Sequence, residues 1–297
     1  MKSGTVAIIG RPNAGKSSLV NALLKTHALI VSPKPQTTRN SVRCVYNDDD
    51  AQIIFTDTPG LYRPDSRDKL GIFLNDSILD ALDDSDCILW LVEAGTRKLK
   101  PDDFEIARIL PKKIPVILTV NKSDKSDPSQ ALKLYESLFS FEAEVPISAK
   151  TKRGLDALMS AILPHIPEGQ PIYDPEILMD TTEKFMASEI IREKILMLLR
   201  DEVPHCVAVM IDEYKSPEEY PDRKKLYIRA SLITETEGQK KILIGSKGEM
   251  IKRIGELSRN SIEDATGIPV YLDLWCKVAP NWRRNPAALR RLGYSSS

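Results

Sequence analysis

Two glycines with four residues between them, followed at once by lysine and serine, make a pattern that holds phosphate. The chain carries it at Gly10–Ser17, GRPNAGKS. Gly10 and Gly15 let the backbone of Arg11, Pro12, Asn13 and Ala14 curl so that its N–H groups turn inward, and the helix that comes next adds its dipole. Lys16 is placed to reach β- and γ-phosphates, the Ser17 hydroxyl to ligate magnesium, and Ser18 continues the phosphate-facing helix start. The apolar run TVAIIG before the pattern and the amphipathic stretch after it supply the strand and helix this turn requires.

The base and the reaction are set elsewhere. NKSD, Asn121–Asp124, comes directly after the apolar run PVILTV. The Asp124 carboxylate can accept two N–H bonds from a guanine edge, whereas adenine would leave that carboxylate unpaired. The aliphatic stem of Lys122 can cover the base, and Asn121 can tie its loop to the phosphate loop. SAK, Ser148, Ala149 and Lys150, can offer a backbone N–H to the guanine oxygen. DTPG, Asp57, Thr58, Pro59 and Gly60, ends the run AQIIFT. There Asp57 can hold magnesium and the Gly60 N–H can sense a γ-phosphate. KPQTTRN offers Thr38 to close the metal shell, with Thr37 adjacent and the register between the two open. Lys16, Thr38, Asp57 and Gly60 are thus the candidate catalytic set. Leu61 occupies the position where many such loops carry the glutamine that orients water.

A second chemistry lies near the C-terminus. Gly245, Ser246, Lys247 and Gly248 join two apolar-patterned stretches, and such a turn presses N–H groups and a lysine against a sugar-phosphate chain. Ile242, Ile244 and Ile251 can line a groove for unstacked bases or serve as ordinary core, and Lys252 lies next to them on the second stretch. Trp282, Arg283, Arg284, Arg290 and Arg291 combine an aromatic ring with arginines, a set suited to single-stranded RNA or, equally, to a capping helix with solvated charges.

These residues need elements to place them. Over the first ~165 residues, five short apolar runs alternate with helical patterns, which predicts a mostly parallel α/β sheet wrapped by helices. Pro167–Asp180, PEGQPIYDPEILMD, reads as a linker. Beyond it the order helix, strand, strand, helix, helix, strand predicts a smaller α+β module. The expected division is therefore 1–166, 167–180 and 181–297. The chain has 42 basic and 42 acidic residues, a net charge of zero that hides a local asymmetry. From Asp174 to Gln239 there are 9 basic and 15 acidic residues, net −6, and from Lys240 to Ser297 there are 11 and 5, net +6. A polyanion would meet the C-terminal segment. Four scattered cysteines fit a reducing cytoplasm and no structural zinc. No apolar run approaches the ~18 residues of a membrane span.

GRPNAGKS, TTR, DTPG and NKSD together resemble the TrmE–Era–EngA group of translation-factor-like GTPases. That resemblance implies a P-loop GTPase domain and a hydrophobic residue after DTPG as the normal state. It also implies slow hydrolysis without the usual glutamine, and potassium beside the phosphates at Asn13, whose bland alternative is a simple turn residue. The C-terminal order and its G-x-x-G turn resemble the bacterial, type II KH fold. A P-loop GTPase followed by a KH module resembles, over essentially the whole chain to the LGY ending, the bacterial GTPases of small-subunit assembly. The resemblance implies GTP and GDP binding and contact with the 3′ end of 16S ribosomal RNA and the 30S subunit. A cytoplasmic monomer with some peripheral association at the inner membrane is implied as well. Two rival expectations are a GTP-stabilised regulator of messenger RNA and a membrane-surface GTPase whose Arg283, Arg284, Arg290 and Arg291 touch anionic lipid.

Overall fold

In the computed structural model, which describes residues 1–26, 29–32, 34, 37–61, 67–220 and 224–294, two compact units part at Asp180 and Thr181. The first is organised on β1 (Lys2–Ile9), whose Val6, Ala7, Ile8 and Ile9 are fully buried. β1 pairs in parallel with β3 (Ala51–Asp57) on one side and β4 (Cys87–Glu93) on the other. β5 (Val116–Asn121) and β6 (Ala143–Pro146) extend the sheet in the same sense, and β2 (Val42–Asn47) caps the far edge antiparallel to β3, giving the order β2-β3-β1-β4-β5-β6. β1, β3, β4 and β5, buried on both faces, read as continuous apolar runs, which is why they are visible in the sequence, while the edge strand β6 shows only through the short run around buried Val145.

β2 is the strand that the apolar pattern does not reveal. VRCVYN is an edge strand in which Arg43 is exposed and paired with Asp84 at 3.0 Å, so its apolar signal is broken. Helices α1 (Lys16–Leu24), α2 (Lys69–Asp83), α3 (Pro101–Ile109) and α4 (Ser129–Glu136) link strands, and α5 (Leu155–Ile162) follows β6. The C-terminal ends of β1, β3 and β5 bring the phosphate loop, DTPG and NKSD together, where a doubly wound sheet binds its ligand.

Residues 167–180, expected from sequence to be a linker, run along this first unit. Ser3 donates its N–H to the Pro167 carbonyl at 3.0 Å, Val45 to Leu178 at 2.9 Å, and Asp180 to Arg43 at 3.0 Å. Gln52 closes the seam, its side-chain oxygen accepting from Ile172 and Tyr173 N–H at 2.6 and 2.9 Å.

The second unit begins with α6 (Glu183–Leu198), capped by the Thr182 hydroxyl, which accepts from Phe185 N–H at 3.2 Å. A three-stranded sheet comes next in the order β7-β8-β9, formed by Ala208–Lys215, Leu226–Thr234 and Val270–Val278. β7 and β8 are antiparallel, β8 and β9 parallel. The parallel crossover holds α7 (Glu237–Ile244), opened by a Thr236–Gln239 capping box, and α8 (Glu249–Thr266). Leu226, Ile228, Ala230 and Leu232 of β8 point to one face and are fully buried against Ile191 and Ile195 of α6, Leu243 of α7 and Ile254 of α8. Burying each such leucine or isoleucine contributes roughly 1.5–3 kcal/mol. α9 (Pro286–Arg291) closes the described chain, with Asn285 accepting from Ala287 and Ala288 N–H. Among the described residues no helix is long and apolar enough to cross a membrane.

Candidate functional site

The phosphate loop leaves β1 and turns into α1 at Gly15, whose φ is +101°. A Cβ there would stand 2.4 Å from Asn121 Nδ2, so both the backbone conformation and the close approach require glycine. Lys16 is buried, its ammonium donating to the Gly10 carbonyl at 3.1 Å and the Arg11 carbonyl at 3.4 Å. Burial pushes its pKa down to about 8, with the Asp57 carboxylate opposing the shift. A desolvated lysine capping its own loop is a cation held ready for an anion.

Three oxygens converge beside it. Ser17 Oγ donates to Asp57 Oδ2 at 2.6 Å, Thr38 Oγ1 donates to the same oxygen at 3.1 Å, and the two hydroxyls are 3.1 Å apart. Burial raises the Asp57 carboxyl, while Lys16, Ser17 and Thr38 pull the other way. Asp57 Oδ1 is buried and, among the described residues, has no hydrogen-bond partner. An unpartnered carboxylate oxygen beside two hydroxyls is a hard-oxygen set that suits a small divalent cation. Thr37 turns elsewhere, donating to the Lys34 carbonyl at 2.7 Å. A cleft of about 470 Å³ opens above these groups, lined by Asn13, Lys16, Ser17, Thr38, Gly60 and Lys122 among others.

At the other end, Asn121 pins three segments. Its Nδ2 donates to the Ala14 carbonyl at 2.9 Å, and its Oδ1 accepts from Lys122 N–H at 2.8 Å and Ala149 N–H at 3.0 Å. Lys122, with φ +65°, donates to the Asn13 carbonyl at 2.7 Å and pairs with Glu93 at 3.1 Å. Ser148 Oγ donates to Asp124 Oδ1 at 2.7 Å, which holds this exposed carboxyl below its ordinary range. Asp124 is thus ionised and turned to solvent beside the cleft, as a receptor for paired N–H donors must be.

In the second unit, Gly245 has φ +75° and Gly248 +82°, with Lys247 between them at +50°. Ser246, Lys247 and Lys252 are exposed, and Ile242 projects into solvent. Ile244 is half-buried, and Ile251 packs against the core beneath while remaining half-exposed.

Two family models match, "50S ribosome-binding GTPase" over residues 5–122 and "KH domain" over residues 202–283. GTPase Era of Halothermothrix orenii is 41% identical over 296 residues, spanning 99% of this chain and 98% of that protein. GTPase Era of Aquifex aeolicus is 43% identical over 303 residues, spanning 99% and 100%. The chain belongs to the Era family of GTPases. Two solved Era structures superpose with TM-scores of 0.93 and full coverage of both chains. One, 42% identical, is an Era complex with MgGDPNP and nucleotides 1506–1542 of 16S ribosomal RNA. The other, 41% identical, is a point variant of Aquifex aeolicus Era bound to GDP and aluminium fluoride.

Against this Era framework, several side chains named from sequence are placed elsewhere. Trp282 does not offer a stacking face: it is 1% exposed, donates its indole N–H to the Cys206 carbonyl at 3.1 Å and stacks on Tyr294. An indole beside a small sheet is worth more as core than as surface. Arg283 is paired with Glu235 at 2.8 Å, while Arg284, Arg290 and Arg291 are exposed. Thr58 spends its hydroxyl on the Ile8 carbonyl at 2.7 Å, stapling β3 to β1 instead of facing the cleft. The Arg11 guanidinium points away to Asp103 at 3.3 Å. Pro59, Ala14 and Ala149 are buried backbone supports, Gly10 packs under Leu91, and Lys150 is exposed. Sequence reasoning misses Asp103, a fully buried carboxylate that also accepts from Tyr135 Oη at 2.8 Å and Lys100 N–H at 2.7 Å. In PDDFEIARI it reads as an ordinary first-turn acid, so its sequence carries no distinguishing signal.

Proposed function

We propose that this chain binds GTP with magnesium in the cleft above Lys16, hydrolyses it slowly, and uses the nucleotide state to set its grip on the 3′ end of 16S ribosomal RNA during 30S subunit assembly. One observation carries the reading: the full-length likeness, at 42% identity and a TM-score of 0.93, to an Era complex holding both MgGDPNP and that RNA. Magnesium, when bound, would neutralise negative charge on the phosphates there. Ser17, Thr38 and Asp57 are the residues that would hold it. Lys16 stabilises negative charge on the phosphates, Gly60 N–H meets the terminal phosphate, and Asn121, Asp124 and the SAK loop fix the base. The paired acceptors of Asp124 favour guanine, and equal heats of binding for GTP and ATP would refute that assignment.

Hydrolysis proceeds without a glutamine after DTPG, since Leu61 lies in the core and its apolar side chain cannot hold water. We infer that potassium supplies part of the missing positive charge at Asn13, which sits on the cleft lip with φ +65°. Equal turnover in potassium and sodium buffers refutes it. RNA is held at Gly245–Gly248 and along Lys252, with Arg284, Arg290 and Arg291 adding charge. By linkage, RNA that prefers the GTP form raises GTP affinity by the same factor. The domain division at 180/181, a monomeric cytoplasmic state and contact at the inner-membrane periphery belong to the same reading. The test is RNA crosslinking in cells. Reads concentrated at the 16S 3′ end, and lost on Lys247→Glu with Lys252→Glu, support the function. Reads spread over messenger RNA overturn it.

A further inference from the structure

The face of the β7-β8-β9 sheet opposite the helices is not a plain solvated surface. Strand register places Lys215, Tyr227 and Tyr271 side by side, and Glu213, Arg229 and Asp273 in the next row. Ser231 and Trp275 form the row beyond. Tyr271 is 60% exposed and Trp275 54%, two large aromatic side chains on one edge strand. Two exposed rings of this size on one face of a strand, two rows apart, mark a surface that can bind a partner.

Their placement is built. Tyr227 and Tyr271 are nearly parallel, 11° apart with centroids at 5.7 Å, and the cations of Lys215 and Arg229 lie 5.7 Å from the Tyr227 ring. Arg229 is held by Glu213 at 2.6 Å and Asp273 at 3.0 Å. The Trp275 indole N–H donates to Asp273 at 2.9 Å, which fixes its plane. Tyr227 is therefore covered by cations, and Tyr271 ends the stack with a ring available to a further flat group. A basin at this end is lined by Lys224, Lys225, Arg229 and Asp273 beside the two tyrosines, three cations against one carboxylate, net +2. Lys224 and Lys225 are exposed, and among the described residues neither is in an ion pair.

We propose that this sheet face is a second RNA-binding surface, separate from the Gly245–Gly248 turn, which stacks bases of a single strand on Tyr271 and Trp275 and receives its phosphates at Lys224 and Lys225. Flat aromatic platforms beside exposed cations match a nucleic-acid strand, whose bases offer π faces and whose backbone offers charge. The inference rests on the RNA reading above and extends it to a surface on the other side of the module.

Tryptophan emission gives the test, because Trp90 and Trp282 are buried and Trp275 is the exposed indole of the three. A ten-residue oligoadenylate is titrated into the full chain, with denaturant unfolding of the second unit, followed by the emission of buried Trp282, as the control for folding. Saturable quenching is expected, absent in Trp275→Phe and at least about fivefold weaker in Tyr271→Ala. The Lys224→Gln, Lys225→Gln variant lowers the slope of log affinity against log salt by about 1.4, from ~0.7 per phosphate contact. Quenching that persists in the Lys247→Glu, Lys252→Glu variant supports a distinct surface. Oligoadenylate binding without a change in Trp275 emission overturns the sheet assignment and leaves the turn as the RNA site. Absence of binding overturns it as well, and the crosslinking experiment judges the RNA function independently. Quenching that grows with protein concentration alone assigns the face to a second copy of the chain and refutes the proposal.

Discussion

Thr38 Oγ1 stands 3.1 Å from Asp57 Oδ2, across nineteen residues of chain, while its neighbour Thr37 is turned back to the Lys34 carbonyl. The pair of threonines is ambiguous as text and unambiguous in space. Thr38→Ala removes one oxygen from the cluster that would hold magnesium, and the magnesium needed for half-maximal turnover rises at least about tenfold. Thr37→Ala breaks a local backbone tie and leaves that requirement within about twofold. Magnesium titrations of GTP hydrolysis on both variants check the pair, and equal shifts would reverse the assignment.

Lys16 predicts a pH dependence of both stability and binding. Its folded pKa is about 8, lowered by burial, against ~10.4 for an unfolded lysine. Between those values the unfolded chain binds more protons, so the Lys16 contribution to stability rises with pH across that window. Nucleotide binding runs the other way. Phosphate charge favours the ammonium, so above pH 8 binding takes up a proton and affinity falls as pH climbs. Calorimetry at about pH 8.5, just above that pKa, in two buffers of different ionisation heat reads the uptake directly, and Lys16→Gln abolishes it.

Leu61 is 7% exposed and belongs to the same core as Trp90 and Ile78. Replacing it with glutamine does not restore a water-orienting side chain, because the position faces the core. The amide is instead buried without an evident partner, at a cost of about 1–3 kcal/mol. Thermal unfolding reads the loss, and a rise in turnover for Leu61→Gln would refute this placement.

The phosphate loop, NKSD and DTPG are legible in the sequence because each is a continuous stretch whose chemistry depends on local spacing. Their strands are legible because a sheet buried on both faces writes itself as apolar runs. β2 is not, since an edge strand interrupted by Arg43 carries half the signal. Asp103 is not either: its importance comes from Arg11 and Tyr135, each about thirty or more residues away, and no spacing records such a meeting. The sheet-face aromatics are hidden for the same reason, because Tyr227 and Tyr271 become neighbours only through strand register.

Trp282 shows how composition misleads. A tryptophan beside four arginines resembles a stacking platform, and the arginines at 284, 290 and 291 are indeed solvent-facing. The ring itself is enclosed, bonded to the Cys206 carbonyl and stacked on Tyr294 with centroids 6.0 Å apart. Its removal therefore acts on folding. Trp282→Ala leaves a large cavity and an unpaired carbonyl, and destabilises the second unit by about 3–5 kcal/mol. Trp282→Phe keeps most of the volume and loses the hydrogen bond, a smaller cost of about 1 kcal/mol. If the ring contacted RNA instead, Trp282→Phe would preserve stability and weaken RNA binding. Denaturant unfolding and RNA affinity measured on the same Trp282→Phe sample separate the two roles, with unchanged affinity and lowered stability the expected outcome.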